Sequence, residues 1–127
     1  MIRTESDIGI AVVATQARAR ALGLSGSRVD RLGTAVSELA RNIVKYAQQS
    51  GGDLLLHLES SGDQKRLTLQ ARDNGPGIPD LEAALQDHYS TSGTLGLGLP
   101  GVRRMVDAFQ IHSIPGSGTV VTITMEE

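Results

Sequence analysis

Apolar positions recur at three- and four-residue steps through "SGSRVDRLGTAVSELARNIVKYAQQSGG", where Val29, Leu32, Val36, Leu39 and Ile43 form one stripe. The spacing predicts an amphipathic helix with Ser27 able to cap it, Asp30 in its first turn and Gly51-Gly52 ending it. An earlier helix is expected over residues 6–23, opening at Ser6-Asp7 and closing at Gly23. The periodicity then shortens: "DLLLHLES" and "KRLTLQARD" are apolar-rich or alternating runs separated by Ser60-Ser-Gly-Asp63, the pattern of a β-hairpin. "NGPGIPD" reads as a loop, "LEAALQ" as a short helix, and "DHYSTSGTLGLGL" as a long connection of the kind that serves as a functional lid. "LPGVRRMVDAF" reads as a helix, and "QIHSI" and "TVVTITM" as strands joined through "PGSG".

Strands linked mostly by hairpins, with helices before and between them, predict an α+β fold. It is a two-layer sandwich with helices on one face of a mainly antiparallel sheet. No repeat or linker divides the 127 residues, so one domain spanning 1–127 is expected.

Composition narrows the chemistry. A formal net charge of -2 and no basic stripe interleaved with aromatics argue against nucleic acid as a partner. The absence of cysteine removes disulfides and thiolate metal sites, and His57, His88 and His112 are not spaced as a ligand cluster. No apolar run approaches the ~20 residues of a membrane span, and "MIRTESDIGI" has no leader pattern, so a cytoplasmic location without membrane attachment is expected.

Three constellations carry candidate chemistry. Gly96, Gly98 and Gly101 spell G-x-G-x-x-G, which would suit a dinucleotide turn if a strand preceded it and a carboxylate followed about 20 residues later. The preceding "DHYSTSGT" is loop-like and positions 114–120 hold no carboxylate, while a eukaryotic-type kinase would need companion motifs that are missing. What remains is a glycine-rich turn into a helix starting near Leu99 or Pro100, whose amides and dipole suit an anion; a flexible loop without a ligand is the alternative. Second, Glu38, Asn42 and Lys45 lie at i, i+4, i+7 on one helix face. They offer a proton acceptor, an amide oxygen for Mg²⁺ and a phosphate counter-charge, though a solvated polar face fits as well. Third, Asp73 ends a strand before "NGPGI". A carboxylate there can accept from an exocyclic amine, and Gly75 and Gly77 allow close approach of a flat ring; an ordinary Asn-Gly turn is the alternative.

Taken together and in order, "ELARNIVKYA", "DNGPGI", "STSGTLGLGLPGV" and "GSGTVVTI" resemble the N box, first glycine box, lid with second glycine box, and closing strand of the GHKL ATPase superfamily. The resemblance covers about Arg28 to Glu127 and implies a Bergerat α/β sandwich that uses ATP and Mg²⁺. It implies Glu38 as the residue polarising the attacking hydroxyl or water, Asn42 as the Mg²⁺ ligand, Lys45 as a phosphate contact, and Asp73 on the adenine amine with Thr119 assisting through water. Gly75, Gly77 and Ile78 would line the base. The backbone of Thr94, Leu95, Gly96, Leu97, Gly98, Leu99 and on to Gly101 would wrap the phosphates. "VSELARNI", "DNGPGIPD" and "HYSTSGTLGLGLPGVRRMVDAF" are similar to the RsbT-type serine/threonine switch kinases of the stressosome, within the anti-sigma-factor kinases. Thr94 departs from them, standing where a second glycine is usual. That resemblance implies STAS-domain proteins of the RsbS and RsbR kind as substrates, and a PP2C-type, RsbU-like phosphatase as the partner activated on release. An anti-sigma factor kinase that holds a sigma factor, and a nucleotide-gated binding module with little kinase activity, are the alternatives.

Overall fold

The computed structural model describes residues 2–47, 50–76 and 98–127. In chain order they form α1 (Glu5–Leu22), α2 (Gly26–Tyr46), β1 (Gly52–Ser61), β2 (Gln64–Asp73), α3 (Gly98–Met105), β3 (Ala108–Ile114) and β4 (Gly118–Glu126). The strands make one antiparallel sheet in the order β1-β2-β4-β3. The expected α+β sandwich is therefore present, and no helix among the described residues is long and apolar enough to cross a membrane. The short helix expected at "LEAALQ" lies outside the described residues.

The alternation along the strands sets the two faces. Leu67, Leu69 and Ala71 of β2 and Val121, Ile123 and Met125 of β4 point into the core, while the residues between them stay at least partly exposed. On that inner face lie Val29, Leu32, Val36, Leu39 and Ile43 of α2, all buried, so the stripe read from the sequence is the stripe that packs. α3 adds Leu99 and Val102 to the same core.

Several element ends depart from expectation. α2 closes at Tyr46 with Ala47 as its C-cap, short of the Gly51-Gly52 pair expected to end it, and Gly52 opens β1 instead. α2 starts two residues early because Ser25, not Ser27, caps it, its hydroxyl accepting from Arg28 N–H. α1 is capped at Thr4 rather than Ser6-Asp7. Asp7 sits at the third helical position and its carboxylate accepts from the N–H groups of Arg3 at 2.9 Å and Thr4 at 3.0 Å. The helix expected over "LPGVRRMVDAF" stops at Met105, and Phe109 belongs to β3, where it pairs with Ile123. Burial at Leu99 and Val102 satisfies a helix, and Phe109 finds its apolar partner in the sheet instead.

Candidate functional site

The site is assembled where the C-terminal half of α2 crosses the ends of β2 and β4. Leu39, Asn42, Ile43 and Tyr46 of α2 face Ala71 and Asp73 of β2 and Thr119 and Val121 of β4 across a narrow crevice. Its walls are apolar except for Asn42, Asp73 and Thr119. An apolar slot with a few convergent polar groups is the usual design for holding an aromatic ring.

Register brings the polar groups together. Asp73 pairs with Thr119, and Thr119 pairs with Ser113 of β3, so the three stand in one row at the sheet's end. Thr119 is buried and its hydroxyl is 2.8 Å from the Ser113 hydroxyl. Oδ1 of Asp73 accepts from Gly75 N–H at 2.9 Å, and among the described residues Oδ2 accepts from none. The backbone is held from two sides. At Gly75 a Cβ would lie 2.7 Å from the Tyr46 carbonyl oxygen and from the Ala47 Cβ, so the loop after β2 rests directly on the end of α2. Gly118, with φ of 117°, passes against the Asp73 carbonyl where no side chain fits. Gly116 N–H adds a 2.7 Å bond to the Pro76 carbonyl oxygen, tying the β3–β4 turn to the same loop.

Along α2 the three polar residues occupy different depths. Glu38 is buried, Asn42 is half-buried at the crevice, and Lys45 is exposed with its ammonium 5.2 Å from the centre of the Tyr46 ring. They share a helix side as the spacing requires, yet only Asn42 lines the crevice. Glu38 lies one turn away, with Oε1 3.0 Å from a guanidinium nitrogen of Arg41.

α3 begins at Gly98, one or two residues before the expected start, which still leaves Pro100 in the first turn, where a missing N–H costs nothing. Leu99 and Gly101 are both buried against the core side. Of the other expected site residues, Gly77, Ile78, Thr94, Leu95, Gly96 and Leu97 lie outside the described residues. Sequence reasoning missed the crevice walls Tyr46, Ala71 and Val121, the Ser113 partner of Thr119 and the Arg41 partner of Glu38. The alternation of β2 and β4 already placed Ala71 and Val121 on the inner face, and the i, i+3 step already linked Glu38 with Arg41.

Comparison with known proteins gives a consistent result. The family model described as the histidine kinase-like ATPase domain matches residues 4–125. Serine/threonine-protein kinase RsbT of Bacillus subtilis (strain 168) is 42% identical over 120 residues, which cover 94% of this chain and 89% of that protein. The anti-sigma F factor of Clostridium beijerinckii is 30% identical over 93 residues, covering 71% of this chain and 65% of that protein. Among solved structures, the mycobacterial sensor histidine kinase MprB superposes with a TM-score of 0.56 at 25% identity, over 77% of this chain and 71% of that one. The four sequence boxes, the antiparallel sheet under α2 and the crevice between Asn42, Asp73 and Thr119 thus have one explanation: this chain belongs to the histidine kinase-like ATPase family and is a homologue of RsbT.

Proposed function

We propose that the chain is an ATP- and Mg²⁺-dependent protein serine/threonine kinase of a partner-switching module. In this reading it phosphorylates STAS-domain proteins and, when released from them, binds and activates a PP2C-type phosphatase. The observation that supports it most is the course of α2, which carries Asn42 to the mouth of an apolar crevice ended by a carboxylate and, one turn back, a buried Glu38.

The residues present suit the nucleotide. Asp73 Oδ2 would accept from the exocyclic amine of adenine, with Thr119 as the neighbouring hydroxyl, and Leu39, Ile43, Ala71 and Val121 would offer the ring an apolar wall. Asn42 offers its amide oxygen to Mg²⁺, a hard cation that prefers oxygen donors. Bound Mg²⁺ supplies charge neutralisation on the phosphoryl oxygens. Lys45 adds positive charge at the exposed rim, and the resemblance to the family's lid and second glycine box assigns phosphate binding to the backbone amides of residues 94–101. Glu38 orients the serine or threonine hydroxyl of the acceptor and takes its proton as the oxygen bonds to the γ-phosphorus, the bond to the β,γ-bridging oxygen breaks and ADP leaves.

Replacing Glu38 with Ala tests the reading. Transfer of radiolabelled phosphate from ATP to a STAS-domain protein should fall by about 10²- to 10⁴-fold, the range for loss of a positioned base, with ATP binding largely kept. Undiminished transfer would refute the assignment. Stimulation of a PP2C-type phosphatase by the same variant separates catalysis from binding: full stimulation without transfer would make nucleotide-gated binding the main activity. The similarity to anti-sigma F factors favours one second reading, a kinase that sequesters a sigma factor. Co-purification with a sigma factor, in place of STAS or phosphatase partners, would select it.

A further inference from the structure

We propose that Arg41 is a positioning residue for phosphoryl transfer. Its guanidinium anchors one oxygen of the Glu38 carboxylate and so leaves the other to receive the proton of the acceptor hydroxyl. The inference rests on the kinase reading above and adds a residue that the reading does not use.

The ion pair is unlike the others among the described residues. In Arg28–Glu127, Arg66–Glu59 and Arg66–Glu126, and in the His57–Glu59 contact, both side chains are about a third exposed or more. In Arg41–Glu38 the arginine side chain is 44% exposed and the glutamate side chain 6%. A pair serving only to support a helix works through two solvated ends and contributes little. Here a partly solvated cation reaches inward to a carboxylate withdrawn from water, and such a carboxylate needs a charged or hydrogen-bonding partner to remain buried.

The geometry is also one-sided. A single contact is made, from a terminal guanidinium nitrogen to Oε1 at 3.0 Å, and no other described residue engages Oε2. A carboxylate held at one oxygen has lost most of its rotational freedom about χ3 while keeping an acceptor available, which is the condition a general base must meet before its substrate arrives. The three-residue step between Glu38 and Arg41 makes the anchor a property of α2 itself, whose buried stripe fixes both Cα positions.

The test uses the full chain with a STAS-domain acceptor protein, radiolabelled ATP for transfer and a fluorescent ATP analogue for binding. Arg41→Gln should lower kcat by about 10- to 100-fold, the scale of losing a fixed near-attack geometry, while KM for the acceptor and Kd for the nucleotide analogue change less than about twofold. Arg41→Lys should recover part of the lost kcat, because the charge is kept but the planar fork is not. Millimolar guanidinium ion should restore transfer to Arg41→Ala through the exposed opening. Wild-type turnover by Arg41→Gln overturns the inference. So does a loss that appears in nucleotide affinity in place of kcat, or equal defects in the Gln and Lys variants with no guanidinium rescue. Glu38→Ala run beside them keeps the two claims apart: full transfer by that variant refutes the kinase reading and this inference together, whereas its silence with an active Arg41→Gln refutes this inference alone.

Discussion

α1 and α2 lie side by side, differ by only three residues in length, and are held in opposite ways. α2 buries nine residues, most of them along the Val29–Ile43 stripe, and packs against the sheet. α1 buries Ile8, Thr15 and Ala19 alone and leaves Ile10 and Val13 each 69% exposed. Half-buried Ala11, Val12 and Leu22 add to that contact, and the rest of its order comes from its ends. Asp7 collects the Arg3 and Thr4 N–H groups at the start, and Gly23 closes the last turn in the left-handed region, with its N–H 3.0 Å from the Arg20 carbonyl oxygen. The helix locked through its middle is the one that carries Glu38 and Asn42, since a residue that must meet a substrate at fixed distance needs a backbone that cannot slide. The helix locked by its ends carries no expected site residue.

The largest expected consequence is a contrast in core substitutions. Leu39→Ala empties a 1%-exposed position that also walls the crevice, and should cost about 2–5 kcal/mol. Ile10→Ala on α1 should stay within about 0.5 kcal/mol. Urea denaturation of the two variants measures the gap directly, and equal costs would break the distinction between the helices. The next effect concerns the loop seated on the end of α2. Gly75→Ala forces a methyl group against the Tyr46 carbonyl oxygen and Ala47, backbone and short side-chain atoms that cannot swing aside. A loss of about 1–3 kcal/mol is expected, with weakened binding of an ATP analogue because Asp73 is displaced with the loop. A stable protein that binds normally would show that the loop and α2 move independently.

These same regions explain what could be read in advance. α2 was legible because one physical requirement, burying a stripe of Leu, Val and Ile, wrote a strict period into the residues. The β1–β2 hairpin was legible from alternation on either side of Ser60-Ser-Gly-Asp63, and the structure closes it with a two-residue turn at Gly62-Asp63; the pairing of Asp73 with Thr119 across β2 and β4 joins segments far apart in the chain and was not legible. Depth was not legible: i, i+4, i+7 spacing puts Glu38, Asn42 and Lys45 on one side of a helix, yet says nothing of how α3 and the sheet cover that side unequally. Helix ends were misplaced for a related reason. Thr4, Ser6, Ser25 and Ser27 are all chemically able to cap, and the choice is settled by the chain's path before the helix. For α1 that path includes Ile2, which pairs with Gly52 through bonds of 2.6 and 2.9 Å.

If α1 depends on its cap, its stability should respond to acid through Asp7. Hydrogen bonds from Arg3 N–H, and then Thr4 N–H, hold this carboxyl below its ordinary pKa. A folded-state pKa lower than the unfolded one means that the stabilising contribution is fully present above the unfolded value, near pH 4, and disappears as pH falls through the folded value. The stability difference between the protein and Asp7→Asn should therefore be constant from neutral pH to about pH 5 and shrink in more acidic solution. Urea unfolding at several pH values checks this. A difference that grew on acidification, or ignored pH down to 2, would remove the cap from the account of α1.

The smallest expected effect tests the seam between the two helices. Gly33 of α2 is buried against Gln16 of α1, and a Cβ there would collide with the Gln16 side-chain amide nitrogen. That nitrogen is the far end of a flexible side chain, so Gly33→Ala should expel it and break its 3.1 Å bond to the Val29 carbonyl oxygen. The carbonyl keeps its partner within the helix, which limits the loss to about 0.5–1.5 kcal/mol. Against it stands the gain of about 1 kcal/mol from replacing glycine by alanine inside a helix. The two nearly cancel, and the unfolding free energy should change by less than about 0.5 kcal/mol, because α1 is free to adjust where α2 is not. Destabilisation beyond about 2 kcal/mol would mean overpacking at a rigid contact. In that case α1 would be as firmly fixed along its length as its neighbour, and its exposed apolar residues would need another explanation than a helix held by its ends.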